Sequence, residues 1–304
     1  ALLWRVHRWR PAWAFSLTSL RGLFGFGSKL LCIGVIDQTF KNIYLMVIGK
    51  LFSPADLGFY ARAQSIQQLP VKDIAISSDL VSFPVFSSIQ EDKARLKRGL
   101  RQGLMMQAVL AFPIMIGLAC VAEPFVRVLL TDKWLPCVPF LQLLCLAGLL
   151  QPMSVINISA LKAQGRADLF FRLEIVKKAL IVVAIAVTYH WGIMAMIVGQ
   201  VATSWIGYYL NSYYTARFLD YSLKDQIVDV LPTLSIASVM GAGVYSIRWL
   251  GLAEPVLTLG LQLVAGVVIY LLLCRVLRLA AFMEMMRMAE AKWKEFRNAD
   301  PVLS

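Results

Sequence analysis

The segment at residues 57–86 combines bilayer-spanning length with side chains that bind charged and hydroxylated molecules. A membrane-spanning helix needs roughly 20 mainly apolar residues, and this segment exceeds that length. Its charged and amide side chains are Arg62, Gln64, Gln67, Gln68, Lys72, Asp73 and Asp79. Guanidinium and ammonium groups bind phosphate oxygens, and amides exchange hydrogen bonds with hydroxyl groups. These residue types predict a water-filled site for a polar, anionic ligand inside the membrane.

Helical spacing places several of these charges on one face of the segment. Steps of three and four residues connect Arg62, Ser65, Leu69, Lys72, Ile76 and Asp79. A charge at the bilayer centre costs about 2.5–3.5 kcal/mol on insertion scales, so this face must contact protein or water. Pro70 and Pro84 lie in the same segment, and we expect them to break or kink its helix. Pro70 is the predicted hinge.

An earlier segment, residues 18–48, has the same mixed character. Lys29, Asp37 and Lys41 are eight and four residues apart, which keeps them on one helical face, and Asp37 can pair with Lys41. Basic residues outnumber acidic ones over the two segments, which favours an anionic ligand. The structural alternative is that charges on neighbouring helices neutralise one another.

The composition indicates a membrane protein that is entirely α-helical. The 304 residues are 59% apolar and 16% charged, whereas soluble domains carry about 25% charged residues. Long runs without Asp, Glu, Lys or Arg predict six spans, near 103–122, 138–159, 172–189, 193–215, 229–248 and 256–275. With the two charged segments, we predict about eight transmembrane helices.

The distribution of Lys and Arg predicts the topology. Basic residues are concentrated in the head, in the links at 89–101, 161–178 and 216–228, and in the tail. The alternate loops hold only Lys50, Arg127, Lys133 and Arg248. Because positively charged loops stay in the cytoplasm, we predict that both termini of this chain are cytoplasmic.

The same pattern predicts the organisation of the chain. We expect a basic cytoplasmic head at 1–17, a six-helix lobe at 18–215, two additional spans at 216–278 and a tail at 279–304. Residues 280–300 predict an amphipathic helix on the inner leaflet, with a simple solvated helix as the alternative.

The sequence argues against several other functions. No paired nucleophile and base, metal-ligand spacing or cofactor motif is present, so we predict neither an enzyme nor a metal or cofactor site. The net charge of +12 is not accompanied by a nucleic-acid-binding motif, so we predict no nucleic-acid partner. The five cysteines lie in or beside apolar segments and are typical of small buried side chains.

Four stretches, taken in order, resemble a known family. They are "LFSPADLGFYARAQSIQQLP", "FPVFSSIQEDKARLKRG", "GLACVAEPFVRVLLTDKWLPCVPFLQLLCLAGLL" and "ALKAQGRADLFFRLEIVKK". Together they resemble the O-antigen, colanic acid and teichuronic acid exporters of the multidrug/oligosaccharidyl-lipid/polysaccharide flippase superfamily. The resemblance extends over roughly residues 10–250.

The resemblance implies a fold and a function. Such proteins have 12–14 transmembrane helices in two lobes, and this chain matches the second lobe and two further helices. The implied activity is movement of undecaprenyl-pyrophosphate-linked oligosaccharide from the cytoplasmic to the outer leaflet of the bacterial inner membrane. Implied partners are the lipid bilayer, a missing N-terminal lobe and polysaccharide glycosyltransferases or a polymerase. We expect the chain to be a fragment of a longer protein.

The resemblance also suggests roles for the predicted site residues. Arg62, Lys72 and Lys41, with Lys29 on the same face of the earlier segment, would attract the pyrophosphate. Gln64, Gln67, Gln68, Asp37 and Asp79 would contact sugars or set the charge balance, and Pro70 would let its helix bend. The alternatives are a cation-coupled drug antiporter, which would use Asp37, Asp73 or Asp79, and a non-transporting scaffold for polysaccharide assembly.

Overall fold

Long α-helices make up nearly all of residues 38–250 and 254–299, the part of the chain that the computed structural model describes. No strand occurs among these residues, which confirms the predicted all-α fold. The chain divides into two compact units, residues 1–47 and 48–304. In the first unit, the described residues 38–47 are helical apart from a turn at Asn42.

Ten α-helices follow one another within the described residues, and short turns or 3-10 segments join them. The first five are α1 (Ile43–Leu51), α2 (Pro54–Ser88), α3 (Lys93–Leu130), α4 (Val138–Gly148) and α5 (Gln151–Ala163). The others are α6 (Ala167–Thr188), α7 (Ile193–Leu219), α8 (Leu223–Ser246), α9 (Pro255–Val276) and α10 (Ala280–Ala299). The 3-10 segments are Asp132–Cys137, Tyr189–Trp191 and Ile247–Leu250.

Helix α2 contains the charged segment, and its beginning follows from local sequence. The Ser53 hydroxyl caps the helix by accepting a hydrogen bond from the Asp56 amide at 3.1 Å, and Pro54 occupies a first-turn position where its missing N–H costs nothing. The prolines were expected to break or kink the helix; they do not break it, because it continues through Pro70 and Pro84. Its 35 residues correspond to roughly 52 Å, more than the thickness of the hydrocarbon core.

Helix α3 forms the centre of the bundle. Its buried stripe repeats every three or four residues and comprises Leu96, Leu100, Leu104, Ala108, Phe112 and Met115. The helix packs most extensively on α8 and also contacts α2, α4, α5 and α9. The Arg101 guanidinium at its basic end donates two hydrogen bonds to the Asp229 carboxylate of α8, at 2.8 and 2.6 Å. The Tyr221 hydroxyl donates to the same carboxylate at 2.7 Å, and burial raises the pKa of this phenol, so it remains a donor.

Five stretches of the described residues are long and apolar enough to cross a membrane. They are Lys93–Leu130, Asp132–Ala163, Ile193–Leu219, Leu223–Trp249 and Pro255–Val276. They account for five of the six predicted neutral spans. The span predicted at 138–159 consists of two helices, and Pro152 stands in the first turn of the second helix. Helices α2 and α6 correspond to the predicted spans at 59–88 and 172–189, but both include several charged residues.

A buried polar cluster connects α5, α7 and α8, and sequence patterns did not reveal it. The side-chain oxygen of Gln226 accepts hydrogen bonds from Asn157 at 3.1 Å, from Tyr208 at 2.7 Å and from Ser212 at 3.0 Å. The Gln226, Asn157 and Ser212 side chains are completely buried. Buried polar groups require such partners, so this cluster specifies how the three helices meet.

The predicted tail helix is present as α10, and its beginning packs against α3. Ala281 and Phe282 are buried in the apolar core, and the Gln102 amide of α3 donates to the Glu284 carboxylate at 2.6 Å. The prediction that the tail lies on the inner leaflet remains a prediction.

Candidate substrate-binding face

One face of α2 is exposed and carries three of the predicted ligand-binding residues, together with Asp73. Arg62, Gln68, Lys72 and Asp73 are all exposed on it, and so is Leu69, at 67%. Within residues 38–250 and 254–299, neither Lys72 nor Asp73 has an ion-pair partner. An ammonium group in a bilayer-spanning helix is costly unless water or a ligand stabilises it. This exposed face of α2 is therefore the best-supported location for a polar ligand.

The structure separates the three predicted glutamines. Gln68 is exposed, whereas Gln64 and Gln67 are only 7% and 5% exposed. Gln67 packs against Gly148 of α4, where an added Cβ would also come within 3.3 Å of Val71. The small residue at 148 lets α2 and α4 approach closely, and a larger one would displace the Gln67 side chain. In this conformation, Gln64 and Gln67 contribute to packing, and only Gln68 is available to a ligand.

An aromatic residue holds Arg62 near the beginning of α2. The Arg62 guanidinium lies over the Trp134 ring, 5.4 Å from its centroid, which is a cation–π arrangement. Phe59 packs edge-on against the same ring, with the centroids 5.9 Å apart. Trp134 belongs to the 3-10 segment between α3 and α4, so residues distant in sequence orient Arg62. The Trp134 contact keeps the charge of Arg62 available for an anion.

Asp79 lies nearer to the other end of α2 and is engaged by α5. The Ser159 hydroxyl donates a hydrogen bond to the Asp79 carboxylate at 2.5 Å, and the Lys162 ammonium is 3.8 Å from the other carboxylate oxygen. Both charged side chains are partly exposed. The structural interpretation, in which charges on neighbouring helices neutralise one another, therefore describes Asp79 but not Lys72.

The predicted residues of the earlier segment lie in the other compact unit or outside the described residues. Lys41 is exposed and belongs to the unit formed by residues 1–47. Lys29 and Asp37 lie outside the described residues, as does the predicted pairing of Asp37 with Lys41. Their predicted roles remain predictions.

Sequence reasoning missed Trp134, Ser159 and Lys162 as neighbours of the charged face. Trp134 belongs to a stretch that we considered only for its resemblance to polysaccharide exporters, and Lys162 was assigned to the basic link at 161–178. In the structure that link is short, because α5 ends at Ala163 and α6 begins at Ala167. Ser159 and Lys162 are three residues apart and share one face of α5. This spacing alone does not predict a contact with α2, and only the structure shows that Asp79 lies next to that face.

The described residues contain no group of three or more His, Cys, Asp or Glu side chains that could hold a metal ion. The described cysteines, Cys120, Cys137, Cys145 and Cys274, are free thiols. The chemistry of the face is therefore that of exposed Lys, Arg, Asp and amide groups on a long helix.

The fold and this face together define a multi-pass helical membrane protein. The solved structure of the lipid II flippase MurJ in an inward closed conformation has a similar fold, with a TM-score of 0.71 and 15% sequence identity. The similarity covers 88% of this chain and 56% of that chain. The partial coverage fits the prediction of a single lobe with additional helices.

The sequence comparisons find similarity to proteins of polysaccharide biosynthesis and transport. Residues 1–139 match the model of the family described as "Polysaccharide biosynthesis protein". The chain is 34% identical over 172 residues to the teichuronic acid biosynthesis protein TuaB of Bacillus subtilis (strain 168). It is 30% identical over 179 residues to the lipopolysaccharide biosynthesis protein WzxC of Escherichia coli (strain K12). The succinoglycan biosynthesis transport protein ExoT of Rhizobium meliloti (strain 1021) is 29% identical over 170 residues.

These matches cover 56%, 59% and 56% of this chain, but only 36%, 36% and 34% of the respective relatives. The chain thus spans about a third of the length of the curated relatives that it matches. These matches agree with the resemblance to polysaccharide exporters found in the sequence.

Proposed function

We propose that this chain forms part of a flippase for undecaprenyl-pyrophosphate-linked oligosaccharide. The flippase would move its substrate from the cytoplasmic to the outer leaflet of the bacterial inner membrane by alternating access. The observation that carries this proposal is the exposure of Lys72 and Arg62 on a helix of bilayer-spanning length, with no acidic partner for either among the described residues. Such cations are retained in a membrane at a considerable insertion cost, which an anionic substrate would offset.

The spacing of the two cations suggests how the substrate moves. Arg62 and Lys72 are ten residues apart, which is roughly 15 Å along a helix. A pyrophosphate group is much shorter than this separation, so it contacts one cation and then the other during its passage. Under the predicted topology, Lys72 lies near mid-membrane, and Arg62 lies nearer to the outer surface. The cation–π contact with Trp134 keeps the Arg62 guanidinium oriented for the second contact.

The amides and the proline provide the remaining parts of the proposed mechanism. Gln68 is exposed and presents both donors and an acceptor to sugar hydroxyl groups. Gln64 and Gln67 are buried, so they would contact sugars only after α2 bends or rotates. Pro70 has no N–H, which leaves the Ile66 carbonyl without its helical donor and makes bending easiest at that turn. We propose Pro70 as the hinge between the two access states.

The relatives support a polysaccharide substrate, because their names refer to teichuronic acid, lipopolysaccharide and succinoglycan. The proposed assembly includes a second lobe that would complete the path, and both termini of this chain would be cytoplasmic. Glycosyltransferases or a polymerase of the same polysaccharide are proposed partners, since they would supply the lipid-linked unit and consume it.

The test is the substitution Arg62→Ala in the bacterium that produces the protein. Surface polysaccharide should be lost, while the amount of the protein in the membrane fraction is unchanged. Arg217→Ala is the matched control, because Arg217 is an exposed arginine at the end of α7, away from this face. Normal export by the Arg62→Ala variant would contradict the site.

A cation-coupled antiporter remains the alternative, and the exposed Asp73 carboxylate is the observation that favours it. Coupling to an ion needs a carboxylate that is free to bind it. Asp79 meets this condition poorly, because Ser159 and Lys162 already engage it. Substitutions of Lys72 and of Asp73 distinguish the two functions, because an anionic substrate depends on the first residue and a coupling cation on the second.

A further inference from the structure

A second polar site lies at the opposite end of the bundle from the Arg101–Asp229 pair. It is a pocket where α3 and α8 end and α9 begins, with about 720 Å³ of empty space including its open mouth. Its polar lining includes Glu123, Arg127, Gln142, Arg248, Thr258 and Gln262. None of these residues belongs to the exposed face of α2, so the pocket requires a separate explanation.

The pocket carries an excess of positive charge. The Glu123 carboxylate pairs with Arg127 at 3.1 Å through one oxygen and with Arg248 at 2.8 Å through the other. One carboxylate cannot neutralise two guanidinium groups. Asp132 is 3.7 Å from Arg127, but its side chain is 80% exposed, so solvent weakens that interaction. Each guanidinium has five N–H donors, and these contacts leave several available on both residues.

A buried amide at the pocket wall provides an independent sign of a ligand. Gln262 is only 2% exposed, and its side-chain nitrogen donates to the Val244 carbonyl at 3.1 Å. Its side-chain oxygen is buried and has no donor within residues 38–250 and 254–299. Leaving such an acceptor unsatisfied costs free energy, which a donor such as a hydroxyl group would recover.

The surroundings of the pocket are apolar, which indicates how a ligand would arrive. Val256 and Leu257, in the first turn of α9, are 64% and 60% exposed, and Val264 two turns later is 62% exposed. On a helix that is long and apolar enough to span a membrane, such exposed apolar residues are suited to contact lipid chains. A ligand with an apolar body can therefore reach the arginines from within the bilayer.

We propose that this pocket binds the headgroup of an anionic bilayer lipid whose phosphate carries a hydroxylated substituent, as in phosphatidylglycerol. The phosphate would accept hydrogen bonds from Arg127 and Arg248, and a headgroup hydroxyl would donate to Gln262. The pocket lining has one more basic than acidic residue, which suits the single negative charge of a phosphodiester better than the higher charge of a pyrophosphate. The site is thus a lipid site, separate from the proposed transport path and independent of the proposed function.

Binding of defined lipids to the purified chain in detergent, measured by native mass spectrometry, tests the proposal. Phosphatidylglycerol should bind at least about tenfold more tightly than zwitterionic phosphatidylcholine, since hydrogen bonds to a charged group are strong. Arg248→Gln should remove most of this preference, and Arg248→Lys should retain part of it because the charge is kept. Arg275→Gln, an exposed arginine at the far end of α9, is the matched control and should leave binding unchanged.

A second comparison isolates the hydroxyl contact. Phosphatidic acid has the phosphate but no glycerol headgroup, so Gln262→Leu should weaken phosphatidylglycerol binding and spare phosphatidic acid. Soluble glycerol 3-phosphate tests the source of the ligand and should bind far more weakly than the lipid. The proposal is overturned if the protein binds phosphatidylglycerol no more tightly than phosphatidylcholine. It is also overturned if Arg248→Gln or Gln262→Leu leaves phosphatidylglycerol binding unchanged. Binding of glycerol 3-phosphate as tight as that of the lipid would overturn it as well. Unfolding temperatures of all variants identify any that fail to fold; if Arg248→Gln fails, Arg127→Gln, which removes the other guanidinium, replaces it and should likewise remove most of the preference.

Discussion

The Asp79 carboxylate of α2 accepts a hydrogen bond of 2.5 Å from the Ser159 hydroxyl of α5. These residues are far apart in sequence, and each comes from a stretch that appears mainly apolar. Lys162 is only 3.8 Å from the same carboxylate, but both charged side chains are partly exposed. The hydroxyl therefore contributes more than the ammonium to holding α2 against α5, because exposed ion pairs add little.

The relative contributions of Ser159 and Lys162 to stability can be measured by thermal unfolding in detergent. Ser159→Ala should destabilise the protein by about 1–2 kcal/mol, because a hydrogen bond to a charged group is lost. Lys162→Ala should cost at most about 1 kcal/mol, the usual range for an exposed ion pair. Asp79→Asn is the control, since the amide oxygen can still accept from Ser159. A larger loss for Lys162→Ala than for Ser159→Ala would contradict this interpretation.

Lys72 and Asp73 are adjacent, both are exposed, and they distinguish the two candidate functions. If an anionic substrate passes along α2, Lys72→Gln should reduce export about tenfold, because a charge-assisted contact is lost. Lys72→Arg should retain part of the activity, and Asp73→Asn should change it little. Export is measured as surface polysaccharide, together with accumulation of the lipid-linked precursor in the membrane. The reverse ranking, with Asp73→Asn inactive and Lys72→Gln active, would favour the cation-coupled antiporter.

Gln226 is predicted to be essential for stability rather than for transport. Replacing it by Leu leaves Asn157, Tyr208 and Ser212 without their shared acceptor, which should cost about 3–5 kcal/mol, since each buried unsatisfied group costs about 1–3 kcal/mol. The measurement is the unfolding temperature in detergent, with Gln90→Leu, at an exposed position, as the control. An unchanged unfolding temperature for Gln226→Leu would show that water substitutes for the amide.

The contact between α3 and α8 depends on a glycine. A Cβ at Gly241 would lie 2.6 Å from the Ile116 side chain and 3.2 Å from the Cys120 sulfur. Gly241→Ala should therefore destabilise the protein by about 1–2 kcal/mol through overpacking. At Gly260 of α9 nothing lies within 4 Å, so Gly260→Ala should be neutral or slightly stabilising, because alanine favours helix. Equal unfolding temperatures for the two variants would refute the close approach.

The helices were predictable because the membrane restricts what an apolar segment can do. A backbone within lipid must satisfy its own hydrogen bonds, so each long apolar run of this chain had to become a helix. The charged segment at 57–86 was also predicted to be a helix, and α2 confirms that; its crossing of the membrane remains a prediction from the basic links. The contacts of its side chains were harder to predict. A helical repeat assigns Arg62, Lys72 and Asp79 to one face but does not identify the residues that each one contacts.

The amino-acid sequence alone determined that the protein is an all-helical, multi-pass membrane protein that resembles polysaccharide exporters, with cations on a helix of bilayer-spanning length. Composition and periodicity are local properties, and they suffice for those conclusions. Only the tertiary structure decided that Trp134 holds Arg62, that Ser159 and Lys162 engage Asp79, and that Lys72 has no acidic partner among the described residues. These contacts join positions far apart in sequence, and their energies depend on packing geometry that no local pattern encodes.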